Sequence, residues 1–332
     1  EKLEKEYSYI GADTCCTDGS CQMPCPMGIN TGTVTDAIRS KHNPRLFQHA
    51  LTASAEHYGT VESTIRGVLR AAVASQKVIS PYPLIWASDF MHKLHYNSIE
   101  SPDFIYFPAC VTRIFGGSSL GKDDMITVIL RLANRSGLKV ALPKEMHGLC
   151  CSQIWEHKGD PKGQAIAANK TVAEFYRLSQ NGAISIMCDT TSCTHTLLSM
   201  AQEKGLLSED NAAKYKSLKI IDITEWLRDY VMPQLKVTAK KGSVCLHPTC
   251  ASRIIGLDSV MVDIARQCAD KVTVPDDSHC CGAAGDRGFI FPEVAKAATR
   301  DERREIANET FDGYYSLART CEISMMGSIG RP

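Results

Sequence analysis

The chain has no excess of charge of either sign, because 37 Lys and Arg residues balance 37 Asp and Glu residues. Nucleic-acid binding is therefore not expected, since it needs a basic surface that attracts phosphates. The sequence also lacks an apolar run near the roughly 18 residues of a membrane-spanning helix, so any membrane contact is expected to be peripheral. The opening residues, EKLEKEYSYI, are too charged for a secretory signal. Because the first residue is Glu1 rather than Met, we expect a fragment or a processed chain.

Cysteine is the residue that the chain has in excess, with 15 copies. The number is odd, no secretory signal is seen, and 332 residues are enough to bury cores without disulfide staples. Metal binding or redox chemistry is therefore the favoured interpretation. Thiolate clusters need reducing surroundings, which predicts the cytoplasm or the mitochondrial matrix, with any membrane association peripheral.

The distribution of apolar residues changes near residue 100. Residues 28–100 have mostly helical periodicity, for example at Val61, Ile65 and Val68. From about residue 101, short apolar segments such as FIYFPA, KVALP and SVCLHP alternate with amphipathic helical stretches, which is typical of an α/β fold. We predict three parts: a helical segment over residues 1–100, an α/β unit over 101–235 and a second α/β unit over 236–332.

Two parts of the chain repeat one cysteine pattern. FPACVTRIFG at residues 107–116 matches HPTCASRIIG at 247–256 in the positions of Pro, Cys, Arg-Ile and Gly, and each copy continues with a double cysteine and then a single one. The first quartet is Cys110, Cys150, Cys151 and Cys193, and the second quartet is Cys250, Cys280, Cys281 and Cys321. The recurrence of four cysteines in one order indicates two copies of one α/β unit, which we expect to be related by a pseudo-twofold axis.

The double cysteines suit a metal site better than a disulfide, because adjacent residues close an S–S bond only with strain. At the turn into a helix, free N–H groups would stabilise their thiolates. Gly282 and Gly285 in CCGAAGDRGF suit such a turn, whereas the first copy has Ser152 in place of the first glycine. The symmetry of the two copies is therefore expected to be weaker at Ser152.

A third cysteine pattern lies near the start, in DTCCTDGSCQMPCPMGIN. Cys15, Cys21 and Cys25 followed by Pro occupy three positions of the ferredoxin run C-x2-C-x2-C-x3-C-P, whose thiolates bind iron–sulfur clusters. Asp18 occupies the remaining position as a harder oxygen donor, and Cys16 is the other candidate, ranked below Asp18. Because the cysteine before Pro serves the other cluster in two-cluster proteins, the partners of Cys25 are expected outside this chain. Buried thiols or a zinc knuckle are the less favoured interpretation.

Several neighbouring residues have simpler interpretations. Cys188, Cys245 and Cys268 have no counterpart in the other copy and are predicted to be small buried side chains. Arg113 and Arg253, three residues after the leading cysteines, either interact with a cluster or substrate anion or form ordinary salt bridges. Histidines beside ligands more often support a ligand than act as one, so four are left out of the predicted sites: His147, His195, His247 and His279.

The doubled pattern resembles the cysteine-rich CCG domain. This domain occurs in tandem in heterodisulfide reductase catalytic subunits, in glycolate oxidase iron–sulfur subunits and in the C-terminal halves of FAD-linked D-lactate dehydrogenases. The segments DTCCTDGSCQMPCPMGINTG, HPTCASR, CCGAAGDRGF and DGYYSLARTCEISM are most similar to the last group. The resemblance implies two CCG sites, one for each quartet, and [4Fe-4S] clusters as cofactors. It also implies a ferredoxin-type site with the ligands Cys15, Asp18, Cys21 and Cys25.

The same resemblance implies an oxidoreductase component. In that family, FAD on an upstream flavin domain oxidises a D-2-hydroxy acid such as D-lactate, and the iron–sulfur region carries electrons to an acceptor, a quinone or another redox protein. The flavin domain and a second ferredoxin run are absent from these 332 residues. We therefore expect FAD on a missing domain or a partner, and no oxidation of lactate by this chain alone.

Two other functions are open at the level of sequence. A heterodisulfide-reductase-like catalytic subunit would act on a disulfide or a thiol, but the fifth cysteine of that family's C-x2-C ending is replaced by Thr196 in one copy and by Ser324 in the other. A zinc-stabilised scaffold would use the same cysteines in closed tetrahedral sites. The identity of the bound metal separates the scaffold from the other two functions.

Overall fold

The computed structural model describes residues 6–79, 96–115 and 123–329. Its strands are β1 (Phe104–Phe107), β2 (Val140–Ala141), β3 (Ser185–Cys188), β4 (Ile220–Asp222), β5 (Lys241–His247), β6 (Ala269–Thr273) and β7 (Gly313–Ser316). Its α-helices are α1 (Thr31–His42), α2 (Arg45–Glu56), α3 (Tyr58–Ile79), α4 (Cys110–Phe115), α5 (Met125–Arg135), α6 (Gln153–His157), α7 (Pro161–Leu178), α8 (Thr191–Ser199), α9 (Glu209–Tyr215), α10 (Ile223–Trp226), α11 (Cys250–Ile254), α12 (Asp258–Cys268), α13 (Arg287–Ile290), α14 (Pro292–Ala298), α15 (Arg300–Glu305) and α16 (Arg319–Ile329). Short π-helical or 3-10 segments are Ser8–Asp13, Ser20–Gln22, Lys144–Met146 and Leu227–Val231.

The amino-terminal part is helical up to Ile79, as predicted, and residues 80–95 lie outside the described residues. The helix prediction is wrong for residues 96–100, which are irregular. The backbone amide of Asn97 donates to the carbonyl of Leu142 at 2.9 Å, and its side chain accepts from the amide of Leu142 at 2.6 Å. These bonds hold the segment beside the end of β2. No described helix combines the length and the apolar surface that a membrane crossing requires.

The strands form two parallel sheets, in agreement with the predicted α/β class. The larger sheet has the order β2-β1-β3-β4, and the smaller sheet has the order β6-β5-β7. Phe104 of β1 is in register with Val140 of β2, and Val244 of β5 is in register with Val272 of β6. The strands β2-β1-β3 therefore correspond one by one to β6-β5-β7, which gives the sequence repeat a counterpart in topology.

The central strands are apolar and buried. β1 is buried along its whole length, as in parallel sheets that helices cover. Phe107 packs edge to face against Phe175, with ring centroids 4.9 Å apart. Cys188 and Cys245 are buried on their strands, as predicted, whereas Cys268 is only partly buried.

The quartet cysteines all follow the carboxyl ends of strands. Cys110 opens α4 after β1, and Cys250 opens α11 after β5. The double cysteines come after β2 and β6, while Cys193 and Cys321 lie in the first turns of α8 and α16, after β3 and β7. The carboxyl ends of parallel strands meet at one edge of a sheet, where α/β proteins place their sites. The topology thus collects four thiols at one edge of each sheet.

The chain divides into two compact units. Unit I comprises Glu1–Ala53, Ser152–Gln164 and Val237–Pro332, and unit II comprises Ser54–Cys151 and Ala165–Lys236. Unit I therefore contains the second quartet and the amino-terminal cysteine run, and unit II contains the first quartet. The three-part division over residues 1–100, 101–235 and 236–332 and the pseudo-twofold axis stay predictions.

Candidate metal centres

The first quartet comes together in unit II. The Sγ atoms of Cys110 and Cys150 lie 4.0 Å apart, and those of Cys151 and Cys193 lie 3.3 Å apart. Both distances exceed the S–S bond length of about 2.05 Å, so neither pair forms a disulfide. A hydrogen bond with Cys150, followed by burial, raises the pKa of the Cys110 thiol well above its ordinary value. Without a compensating cation, this thiol is therefore protonated.

A buried carboxylate positions the loop that carries Cys110. Asp189 accepts from the amide of Ala109 at 2.8 Å and from the hydroxyl of Tyr106 at 2.6 Å. Burial raises the pKa of Asp189, and the hydrogen bonds from Tyr106 and Ala109 oppose that shift. Asp189 thereby joins the loop after β3 to the loop after β1, and these two loops supply Cys193 and Cys110.

The sequence leaves two roles open for Arg113, contact with an anion or an ordinary salt bridge, and the structure shows the salt bridge. Its buried guanidinium pairs with both carboxylate oxygens of Glu62, with N–O distances of 2.9 and 2.8 Å. The same group donates to the carbonyl of Leu149 at 2.6 Å. Because every one of these partners is an oxygen of the protein, Arg113 connects α3 to the loop before Cys150. Arg253, its counterpart in unit I, instead donates to the hydroxyl of Ser278 at 2.7 Å.

The second quartet is paired in the same way in unit I. The Sγ atoms of Cys281 and Cys321 lie 3.0 Å apart, and Cys280 is hydrogen-bonded to Cys250. Hydrogen bonds with Cys280 and Cys321, followed by one with His247, lower the pKa of the Cys281 thiol well below its ordinary value. These bonds therefore favour the thiolate of Cys281, the form that binds metals.

The backbone after each double cysteine has the same unusual conformation. Gly282 has a φ of 70° and Ser152 a φ of 79°, in the left-handed region that favours glycine. The two copies therefore have the same backbone conformation at this position. The expectation of weaker symmetry at Ser152 is wrong for the backbone. The hydroxyl of Ser152 is buried, and it has no hydrogen-bond partner among the described residues. The turn leads directly into α6 in the first copy, whereas α13 begins only at Arg287 in the second.

The amino-terminal run brings two donors to the second quartet. Asp18 forms a group with Cys250 and Cys280 in which the ligand atoms all lie within 4.8 Å of one another. Cys16 is hydrogen-bonded to Cys280. The ferredoxin-type spacing identifies Asp18 and Cys16 as candidate ligands of the amino-terminal site. It does not predict that they lie near the second quartet, because that proximity is between residues far apart in the sequence.

The surroundings of Cys21 and Cys25 favour their thiolate forms, which are the forms that bind metals. The amide of Thr31 donates to Sγ of Cys21 at 3.4 Å, and the Thr31 hydroxyl lies 3.2 Å from it. The bond with this hydroxyl lowers the pKa of Cys21. Backbone N–H groups, first that of Ile29, lower the pKa of Cys25. Among the described residues, no close group of three donors includes Cys15, Cys21 or Cys25, so their common cluster stays a prediction.

Arg39 positions the loop at the start of this run. Its buried guanidinium donates to the carbonyl of Ala12 at 2.6 Å and to that of Cys15 at 2.7 Å. It also donates to the carbonyl of His157 at 2.7 Å. A single cation on α1 therefore holds the backbone of Cys15 in place.

His247 lies near the second quartet and is a residue that the sequence interpretation left out. Its Nδ1 lies 2.9 and 3.0 Å from the two carboxylate oxygens of Glu302. One of its ring nitrogens forms a second group of close donors with Cys281 and Cys321, again within 4.8 Å. Burial lowers the pKa of His247, but hydrogen bonds with Cys281 and Glu302 outweigh this effect and raise it to about 9. The repeat contained the signal, since His247 occupies the position of Phe107.

Distant relatives of the chain are iron–sulfur proteins. The chain is 22% identical over 227 residues to an uncharacterized iron-sulfur protein of Methanocaldococcus jannaschii, a match that covers 68% of this chain and 41% of that protein. It is 25% identical over 173 residues to the glycolate oxidase iron-sulfur subunit of Escherichia coli, which covers 50% of this chain and 41% of that protein. Less than half of either relative therefore corresponds to this chain. No protein-family model matches it.

Proposed function

We propose that this chain is the iron–sulfur electron-transfer region of a flavin-dependent dehydrogenase for 2-hydroxy acids such as D-lactate. The observation that carries the proposal is the pair of thiol quartets, each at the carboxyl edge of a parallel sheet and each paired in the same order. Relatives named as iron–sulfur proteins, one of them a glycolate oxidase subunit, support it. The tandem CCG arrangement and D-lactate as the substrate come from the resemblance of the motifs.

The donor sets fit iron–sulfur clusters. Each quartet offers four thiols, which is the number of cysteine ligands of a [4Fe-4S] cluster. The lowered pKa values of Cys21 and Cys25 favour thiolates in the amino-terminal run. Asp18 adds a carboxylate, which we propose as a ligand. Clusters bound to these donors would supply one-electron transfer.

The protein's own residues shield and tune such centres. Cys150, Cys151 and Cys193 are buried, which keeps water from their sulfurs. The amide of Gly282 donates to Sγ of Cys280 at 3.4 Å, and hydrogen bonds to ligand sulfurs are among the factors that set the reduction potential. The ion pair of Arg113 with Glu62 is neutral as a whole, so it supports the first quartet without adding net charge.

An electron-transfer region needs a donor and an acceptor. We propose that FAD on another domain or on a partner subunit is the donor, and that a quinone or another redox protein is the acceptor. Alone, the chain is expected to be reduced by dithionite but not by D-lactate. Lactate-dependent reduction should appear only when a flavin-containing dehydrogenase is added.

The first experiment is analysis of iron, zinc and acid-labile sulfide in the chain purified without oxygen. Iron and sulfide in near-equal amounts, with an absorption band that dithionite bleaches, are the expected result. Cys151→Ser and Cys281→Ser should each remove part of the iron, one from each quartet. Cys268→Ser is the matched control, because this thiol belongs to neither quartet, and it should retain all of the iron. Folded protein without iron, or a band that dithionite leaves unchanged, would contradict the proposal.

A zinc-stabilised scaffold is the second candidate, and one distance favours it. Tetrahedral zinc with Zn–S bonds of about 2.3 Å places its sulfurs about 3.8 Å apart. The Sγ atoms of Cys110 and Cys150 are 4.0 Å apart, which is close to that value. Stoichiometric zinc without sulfide in the same analysis would establish the scaffold and exclude electron transfer.

A further inference from the structure

His247 ends β5 and is buried beside a buried carboxylate. The side chain of His247 is only 6% exposed, and that of Glu302 is 2% exposed. The distances of 2.9 and 3.0 Å from Nδ1 to the carboxylate show that Nδ1–H is donated to Glu302. The other ring nitrogen, Nε2, lies on the opposite side of the imidazole. It is therefore the atom left for a different partner.

Nε2 of His247 faces sulfur rather than oxygen. It is buried and forms no well-aligned hydrogen bond among the described residues, and its contact is with the thiol of Cys281, whose sulfur is a weak hydrogen-bond acceptor. A ring nitrogen of His247 and the sulfurs of Cys281 and Cys321 all lie within 4.8 Å of one another. Since Nδ1 is bound to Glu302, Nε2 and the two sulfurs are placed so that one metal ion could bind to all three.

The first quartet provides an internal comparison. Phe107 occupies the position of His247 there, and its ring packs against Phe175. An apolar ring is therefore enough for the fold at this position of the repeat. At this position of the repeat, the second copy has an imidazole paired with a carboxylate where the first copy has Phe107, so the pair needs an explanation that is specific to the second quartet.

We propose that His247 binds the metal centre of the second quartet directly through Nε2, together with Cys281 and Cys321, and that Glu302 orients the ring. This inference rests on the proposed function, because it takes the quartet to hold iron. Metal-binding histidines usually donate their other N–H to a carboxylate or a carbonyl, which fixes the ring and the tautomer. Binding of the metal displaces any proton on Nε2.

The number of donors agrees with this assignment. Asp18, Cys250 and Cys280 form one close group, and His247 with Cys281 and Cys321 forms another. The two groups offer six donors, more than the four that a single tetrahedral ion accepts. The centre therefore suits more than one iron. Histidine in place of cysteine raises the potential of iron–sulfur centres, so replacing the His247 ligand with a thiolate is expected to lower the reduction potential of the second centre.

The test is electron spin echo spectroscopy of the chain with 15N-labelled histidine, purified without oxygen and reduced with dithionite. A nitrogen bonded to iron is expected to give a strong 15N coupling. The coupling should disappear in His247→Phe, which copies Phe107. It should persist in His279→Gln, the matched control, which changes an exposed histidine beside Cys280.

A second variant covers the case in which His247→Phe fails to fold because Glu302 loses its partner. His247→Cys replaces the nitrogen with a thiolate, and it should retain the iron while one centre shifts to a lower reduction potential. An unchanged potential in this variant, or a 15N coupling no stronger than that of a hydrogen-bonded imidazole, overturns the ligand role of His247. Absence of iron and sulfide from the unaltered chain overturns the proposed function instead, and the inference falls with it.

Discussion

The hydroxyl of Thr171 forms hydrogen bonds with both the backbone carbonyl and the backbone amide of Cys150. The Thr171 hydroxyl donates to the carbonyl of Cys150 at 2.8 Å and accepts from its amide at 3.3 Å. Both residues are buried. One hydroxyl on α7 therefore sets the position of the first double cysteine relative to the larger sheet.

Replacing Thr171 with Val keeps the shape of the side chain and removes both of these hydrogen bonds. We expect Thr171→Val to lower the free energy of unfolding by about 1–3 kcal/mol, because buried backbone groups lose a partner. The first quartet should also bind less iron, while the second quartet is unaffected. Denaturant unfolding and iron analysis check the two effects. Thr64→Val is the control, since Thr64 is exposed and its hydroxyl donates to the carbonyl of Thr60 in its own helix, and an equal effect there would contradict the expectation.

Removing the charge of Glu62 should destabilise unit II strongly. Glu62→Gln leaves the Arg113 guanidinium buried without its anion, and breaking a buried ion pair from one side typically costs about 3–5 kcal/mol. A large fall in the melting temperature is the expected observation. Asp263→Asn, which breaks the exposed pair with Arg266, is the control, and its effect should stay below about 1 kcal/mol. If both substitutions lowered the melting temperature by similar amounts, the buried ion pair would contribute no more to stability than the exposed pair.

A side chain at Gly282 should be poorly tolerated. In Gly282→Ala, the new Cβ would lie 2.7 Å from Cα of Ala295, in a backbone conformation with a φ of 70°. Gly205→Ala separates crowding from backbone strain, because Gly205 has a φ of 80° but no atom within 4 Å of an added Cβ. We expect a loss of about 1–2 kcal/mol for Gly205→Ala from conformation alone and a clearly larger loss for Gly282→Ala. Equal losses of unfolding free energy would mean that the backbone shifts to remove the close contact with Ala295 without destabilising the protein.

His157 should contribute a loss of unit I stability in mild acid. Burial, followed by the charge of Arg39, lowers the pKa of His157 from 6.5 to about 4. Between these values the unfolded chain binds a proton that the folded chain does not. The neutral, buried state of His157 therefore contributes roughly 3 kcal/mol to the free energy of unfolding, which is complete above pH 6.5 and is lost as the pH falls through 4.

The measurement for His157 is urea unfolding at a series of pH values. His157→Gln should flatten the dependence of unfolding free energy on pH between 6.5 and 4. The exposed His49 provides the control, because His49→Gln should leave the slope unchanged. A slope that His157→Gln does not alter would assign the acid sensitivity to other groups.

The sequence predicts the features that depend on local pattern or on repetition. The repeat of Pro, Cys, Arg-Ile and Gly around Cys110 and Cys250 anticipated matching topologies, and apolar segments such as FIYFPA anticipated the buried central strands. In the structure, each double cysteine lies near other members of its quartet, while the predicted four-cysteine sites stay predictions. Each of these features follows from spacing along the chain or from comparison of two copies.

Features that depend on contacts between distant segments were not predicted. Glu62 lies on a helical stretch without any motif, so nothing in the sequence pairs it with Arg113. The approach of Asp18 to Cys280 depends on how a loop near the start packs, which periodicity does not encode. His247 was set aside on general grounds, and only its bond to the buried carboxylate of Glu302 and the approach of a ring nitrogen to Cys281 and Cys321 give it a specific role. The left-handed backbone of Ser152 was missed because serine rarely adopts it.

The strands of both sheets contain none of the eight quartet sulfurs, which all lie in the segments that follow them. The hydrogen bonds of the two sheets therefore do not depend on the donors of the proposed centres. If the quartets hold clusters, as we propose, a chain stripped of its metal is expected to keep its sheets and to accept metal again. Oxidative damage to a centre would then call for new iron and sulfide rather than for a new polypeptide.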